Sequence, residues 1–396
     1  MNSRIFLTGL GVISPLGLDS ATFWQRLIAG ENGIAPLSKL PTEGLRNVSG
    51  GEVRGFDWSR YGDDGDCDEA SQFAYAAAFD AAQNAGLTDE QRARAGLVFA
   101  TNFGGAASWE ACCDIARDGD SDAETFAQFL PDDAVNTTAK RFDSEAPRAT
   151  LSNACSSGTH AIGMAADWVR LGRCDIAIAG GFDGLGISTL AGLSILRTIS
   201  PDMIRPFDAR RNGTIFGEGA AMVVLESEAS MRARGAAPIA EFMGWSVTNN
   251  AHHLTAPDKG GAGLALAMRG ALKNAGVEGE QIGYINAHGT GTQYNDQAET
   301  EAIKTVFGAH ADKLTISSIK AATSHLMGAA GAIEAIACAL TLRDGVLPPT
   351  LNLEEPDPNC DLDYVPLCAR EAKVEFALSN SSGIGGNNAS LILKKI

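Results

Sequence analysis

No Cys-x-x-Cys pair and no spaced cysteine–histidine set occurs among the eight cysteines, so neither a structural zinc site nor a disulfide framework is indicated. Free thiols point to a reducing compartment, and a cytoplasmic location is expected. Positive charge is also in short supply: 31 Lys and Arg stand against 48 Asp and Glu, a net charge of −17. That balance argues against nucleic acid or an anionic membrane as the main partner. The longest apolar run, "LMGAAGAIEAIACALTL" (326–342), falls short of a membrane span and contains Glu334, so it reads as a buried helix. The opening "MNSRIFLTGLGVISPLG" has the basic residue and apolar run of a signal peptide but lacks an A-x-A-like cleavage site. Its glycines fit a first strand and turn. The 45 glycines fall in no low-complexity run and therefore read as tight turns and close backbone approaches.

What is present is a chain of 396 residues, 45% hydrophobic and 20% charged. That length suits two domains or one large duplicated one. Strand and helix patterns alternate, which argues for α/β layers. Strands are expected over 5–9, 95–100, 149–153, 176–179 and 221–225, then over 239–247, 282–286, 315–317 and 389–393. Helices are expected over 70–85, 156–171, 263–274 and 326–343. The halves echo each other. In each, a strand ends and feeds a Gly/Ala-rich helix, "SSGTHAIGMAADWV" in the first and "LMGAAGAIEAIACAL" in the second. Such helices can be buried on all sides. The division is placed at 1–235 and 236–396.

Four segments carry chemistry. "TLSNACSSGTH" puts Cys155 where a strand becomes a helix; at the positive end of the helix dipole a thiolate is favoured and the thiol pKa falls. A buried structural thiol fits the same position. "INAHGTGTQYNDQAE" puts His288 after an apolar strand, at a Gly/Thr turn. "SSIKAATSHLMGAAG" carries Lys320 and His325 just before the buried helix. "LSNSSGIGGNNASLIL" carries Gly383, Gly385 and Gly386, which leave backbone N–H groups unhindered near the C-terminus. Taken singly, each segment also reads as an ordinary turn or core element.

Together with "LTGLGVISPLG" and "RPFDARRNGTIFGEGAAMVVLE", in this order and spacing, they make the chain resemble the elongating β-ketoacyl-[acyl-carrier-protein] synthases over nearly its whole length. The resemblance implies a thiolase-like α/β fold whose duplicated halves form αβαβα layers, with no metal or redox cofactor. It implies that Cys155 accepts an acyl chain and that His288 and His325 hold the malonyl thioester. Lys320 supports the histidines, and the backbone N–H groups of Cys155 and Ile384 form the oxyanion hole. Glu334 is expected as a structural hydrogen-bonding group. The implied reaction is decarboxylative Claisen condensation with malonyl on an acyl carrier protein, whose phosphopantetheine arm carries the substrates. A thiolase is disfavoured because the terminal glycine loop lacks a second catalytic cysteine. A non-catalytic partner subunit is disfavoured because all four functional side chains are present.

Several positions depart from the family pattern. Ser382 and Ile384 replace phenylalanines of the gate, and Ser324 replaces a glycine and is expected to add a hydroxyl to the active-site wall. Trp109 is expected at the floor of the acyl pocket, or alternatively at a subunit interface. The regions that usually meet the acidic carrier read "GDDGDCDEA" (62–70) and "DGDSDAETF" (118–126), which leaves Arg210 and Arg211 as docking residues, with Lys140–Arg141 as a second basic spot. A dimer is expected, either of identical chains or with a paralogous ketosynthase-like subunit, and the departures lean toward a polyketide or polyene pathway.

Overall fold

Short runs of Val, Ile, Leu and Ala build the sheet. A computed structural model of the chain describes residues 4–62, 67–120 and 122–396. Ten strands form one mixed sheet among the described residues: β1 (Ile5–Ile13), β2 (Gly96–Ala100), β3 (Arg148–Leu151), β4 (Ile176–Asp183), β5 (Gly219–Ser227), β6 (Ala240–Asn249), β7 (Ile282–Asn286), β8 (Thr315–Ser317), β9 (Phe376–Gly383) and β10 (Asn387–Lys394). Their order is β8-β7-β9-β10-β6-β1-β5-β4-β2-β3. From the middle outward the two sides repeat one pattern. β1 and β6 pair antiparallel with each other and with β5 and β10, which pair antiparallel with β4 and β9. Beyond these, β4-β2-β3 and β9-β7-β8 are parallel throughout. This is the thiolase-like α/β fold with N- and C-terminal halves. β9 has no counterpart among the strands expected from sequence, because "FALSNSSG" mixes polar and small residues and lacks the β-branched side chains that mark a strand.

The helices that matter for the site are α1 (Glu69–Asn84), α2 (Ala106–Arg117), α3 (Ser157–Arg170), α4 (Ile187–Ile195), α5 (Ala262–Ala275), α6 (Gln293–Phe307) and α7 (Ala330–Asp344). α1 covers the outer face of the N-terminal half, while α5 and α6 cover that of the C-terminal half. α3 and α7 lie between the two halves of the sheet and share one core with both. Their small side chains have a specific use. A Cβ added to Gly158 would lie 2.7 Å from Ala332 N, and one on Gly331 would lie 2.2 Å from Thr159 Oγ1. The two helices thus cross at backbone contact, and the layers stack α-β-α-β-α. No helix among the described residues is long and apolar enough to cross a membrane.

The acidic stretches are only partly surface. Residues 63–66 and Ser121 lie outside the described residues. Asp68 is buried and accepts hydrogen bonds from Ser108 N (2.9 Å), Ser108 Oγ (2.7 Å) and Ala70 N (2.8 Å). Glu69 pairs with Lys39 at 2.7 Å.

Candidate active site

The chain turns sharply where β3 gives way to α3. Ala154 takes φ +49°, a left-handed conformation that costs an L-residue about 1–2 kcal/mol, and lifts Cys155 ahead of the helix. The two serines after the cysteine hold this elbow. Ser156 Oγ donates to Asn153 O (2.8 Å), while Ser157 Oγ accepts from Asn153 N (2.7 Å) and donates to Ala154 O (2.6 Å). The glycine hairpin between β9 and β10 lies over the elbow. A Cβ on Gly383 would stand 3.0 Å from Cys155 N, and the next backbone N–H, that of Ile384, hydrogen-bonds the Cys155 sulfur.

The other side of the site comes from the C-terminal half. Cys155, His288 and His325 are buried and each brings one sulfur or ring nitrogen within 4.8 Å of the others. The imidazoles meet edge to face, with centroids 5.4 Å apart. Lys320 Nζ donates to His288 O (2.5 Å), to Glu334 Oε1 and toward His288 Nδ1 (3.3 Å). An ammonium only donates, so Nδ1 of His288 accepts and its proton sits on Nε2. Met327 N–H donates to His325 Nδ1 (3.1 Å), which places that ring's proton on Nε2 as well. Burial, with the Lys320 charge adding to it, holds both imidazoles well below the usual histidine range, so they are neutral at pH 7. Two neutral Nε2–H donors beside a thiol are the chemical content of the arrangement. A cation bound by the same trio would sit next to the Lys320 ammonium, which disfavours a metal.

The thiol differs from the sequence expectation. Burial pushes it up to about 11, against the pull of Lys320 and the Ile384 N–H. A helix end and one cation do not recover the hydration that a thiolate loses here.

Two buried carboxylates escaped the sequence reading. Glu299 on α6 accepts from the N–H groups of His288 and Gly289 (both 2.9 Å) and from the Asn380 amide (3.2 Å). It therefore fixes the turn after β7. Asp183, at the end of β4, accepts from Thr101 Oγ1 (2.6 Å), Phe103 N (2.9 Å) and Gly328 N (2.6 Å), tying the first half to the segment after His325. Phe216, also missed, stacks on the His325 ring with centroids 5.4 Å apart. Asp183 closes "GGFD" and Glu299 sits on the polar run after the Gly/Thr turn. Their positions were legible, but not that each is buried against backbone donors.

A cavity of about 990 Å³ holds Cys155 and both histidines, with Ile384 and Ser382 on its wall. Phe103, Met327 and Leu193 also line it, as do Thr292, Tyr294 and Arg197. Three expectations change here. Trp109 on α2 is not on the cavity wall; it is 41% exposed and packs on Phe129, with centroids 4.9 Å apart. Ser324 is not on the wall either, but is buried behind His325. Arg211 cannot meet a carrier protein: it is buried, donating to Asp357 (2.5 Å) and to the carbonyls of Thr292 (3.1 Å) and Gln293 (3.0 Å). Arg210 is half-exposed, but Asp208, Glu354 and Glu355 neutralise it.

Models of the Beta-ketoacyl synthase N-terminal and C-terminal domains match residues 2–230 and 239–354. The chain belongs to the β-ketoacyl synthase family. It is 39% identical to Nodulation protein E of Rhizobium meliloti over 100% of both chains. It is 39% identical to the Putative polyketide beta-ketoacyl synthase 1 of Streptomyces halstedii, over 99% of this chain and 98% of that one. The 3-oxoacyl-[acyl-carrier-protein] synthase 2 of Coxiella burnetii is 37% identical over 99% of both. Among solved structures, the ishigamide ketosynthase/chain length factor superposes with a TM-score of 0.95 at 36% identity, covering 100% of both chains. A type II PKS acyl-carrier protein in complex with its ketosynthase, bound to the hexaketide (AntDE:AntF), gives a TM-score of 0.92 at 31% identity over 100% of both. This synthase is an acyltransferase that performs β-ketoacyl-[acyl-carrier-protein] synthase condensation in fatty-acid or polyketide biosynthesis.

Proposed function

We propose that the synthase elongates an acyl chain held on Cys155 by two carbons, taken from malonyl-acyl-carrier protein, in a specialised polyketide or polyene pathway. The observation that carries the reading is the thiol facing two neutral imidazoles whose Nε2 protons are left free for substrate. In the first half-reaction Cys155 attacks the acyl thioester. The new C–S bond replaces the bond to the carrier, and the thiol proton leaves with the carrier thiol. The N–H groups of Cys155 and Ile384 stabilise the tetrahedral oxyanion. Malonyl thioester then places its carbonyl oxygen against the His288 and His325 Nε2–H groups. The carboxylate leaves as CO2, its bonding pair becomes the enolate, and the two donors meet the negative charge as it develops. The enolate carbon attacks the acyl-Cys155 carbonyl. Collapse releases the 3-oxoacyl carrier and a Cys155 thiolate, which takes a proton from solvent. Lys320, paired with Glu334, fixes the tautomer of His288 and keeps both rings neutral.

The pathway reading rests on Ile384 and Ser382, which open the gate where aromatic rings would fill it. The neighbours named above include a ketosynthase/chain length factor and a ketosynthase–carrier complex, which supports a paralogous subunit as partner here. With Arg210 and Arg211 engaged, Arg197 is one cation that can meet the acidic carrier. It is exposed, lines the cavity and forms no ion pair among the described residues. The test is intact-protein mass spectrometry after incubation with a series of acyl-carrier proteins. An adduct that is absent in Cys155→Ala supports the reading, and its preferred chain length reports on Ile384. No adduct from any donor, alone or with a co-purified partner subunit, would defeat it.

A further inference from the structure

Ser324 occupies a position that a glycine would fill at less cost. Its φ of 66° and ψ of 177° fall in a region that is essentially glycine-only. Its side chain is 1% exposed, and its hydroxyl has no hydrogen-bond partner. Strain and an unpaired buried hydroxyl both count against the folded state, and glycine would avoid both.

What the serine supplies is volume in one slot. A Cβ placed on Gly217 would lie 1.9 Å from Ser324 Oγ, and one on Gly51 would lie 2.1 Å from it. The hydroxymethyl group therefore sits as a wedge against two side-chain-free residues. Those residues belong to the frame that carries His325. Gly51 N donates to Phe216 O (3.1 Å) and Glu218 N donates to Gly51 O (2.9 Å), which ties the two glycine segments together. His325 N donates to Ile215 O (2.8 Å) and Gly217 N donates to His325 O (3.1 Å), which ties His325 to the same segment. Phe216, between those two anchors, lays its ring on the imidazole at an interplanar angle of 28°.

We propose that Ser324 is a positioning residue for His325: its side chain fills the slot against the bridged Gly51 and Gly217 segments and so fixes the Phe216 ring against the imidazole. It is off the cavity wall, so it acts through His325 and not on substrate. The inference rests on the proposed role of His325 in holding the malonyl thioester.

The test compares Ser324→Gly and Ser324→Ala with the wild-type chain. Glycine removes wedge, strain and unpaired hydroxyl; alanine removes only the hydroxyl and leaves part of the wedge. Both variants should melt higher than wild type, glycine more so. Malonyl-carrier decarboxylation should fall about tenfold in kcat for Ser324→Gly and two- to threefold for Ser324→Ala, while the rate of acyl loading on Cys155 stays unchanged. A crystal structure of Ser324→Gly should show the Phe216 ring shifted on His325. Wild-type kcat and KM for decarboxylation in Ser324→Gly would overturn the proposal, as would an unmoved Phe216. If wild type itself decarboxylated no malonyl carrier, the proposed function would fall instead, and the crystal structure alone would decide the wedge.

Discussion

The two halves of the molecule run through the same steps and finish them differently. In the first, β3 ends, the chain makes one left-handed turn at Ala154, and a thiol stands ahead of α3 with no charged side chain on the helix turns facing it. In the second, β8 ends, and the equivalent connection to α7 delivers Lys320, the strained Ser324 and His325, while α7 itself carries the buried Glu334. The N-terminal half thus supplies a neutral nucleophile, and the C-terminal half supplies the polar and charged cluster. The duplication matters because both connections open onto the same central layer. Helices that cross at Gly158 and Gly331 bring the two connections into one cavity.

This division of labour can be broken most severely at the nucleophile. Cys155→Ala should lower condensation by on the order of 10³-fold or more and abolish the acyl adduct, while malonyl decarboxylation by the C-terminal cluster survives. Condensation at the wild-type rate, read by product mass spectrometry, would show that the halves do not divide the work this way.

The second prediction concerns how neutral that nucleophile is. With the thiol held up near 11, its thiolate fraction rises about tenfold per pH unit through the neutral range. Iodoacetamide labelling of Cys155 should therefore rise roughly a hundredfold from pH 7 to pH 9 with no plateau. Levelling off near pH 7 would restore the low-pKa thiolate expected from the helix end.

In the opposite half, Lys320→Met leaves the Glu334 carboxylate buried without its partner. We expect a loss of about 3–5 kcal/mol in stability by denaturant unfolding. Adding Glu334→Gln should recover most of it without recovering decarboxylation. A single variant as stable as wild type would mean that the pair is not a buried charge couple.

The smallest effect is expected at the edge of the cavity. Trp109→Ala should leave the acyl chain-length profile within about twofold of wild type, because the ring is off the wall. Gly192→Leu should shorten that profile. Gly192 lies on the wall, and a Cβ there meets nothing within 4 Å. A longer preferred chain in Trp109→Ala would put the ring back at the pocket floor.

Much of this was legible in the residues. The Gly/Ala-rich runs announced two buried helices, the strand at 282–286 falls where its apolar pattern places it, and Cys155, His288, Lys320 and His325 stand in motifs whose order is specific. Other features were not. β9 hides because its buried residues include serines and Asn380, and Asn380 finds its partners in Ser390 on the neighbouring strand and Glu299 on α6. Arg211 reads as a surface cation until Asp357 and the carbonyls after the Gly/Thr turn are seen around it.

The sequence alone determined which groups take part and which backbone can carry them. Side-chain chemistry and helix propensity are local properties, written residue by residue. The tertiary structure decided their electrical state and their direction. Burial in the central layer raised the Cys155 thiol and lowered both imidazoles, and Lys320 chose the His288 tautomer. Desolvation and the partner at 3 Å depend on what the rest of the chain brings alongside, and no local stretch of sequence contains that.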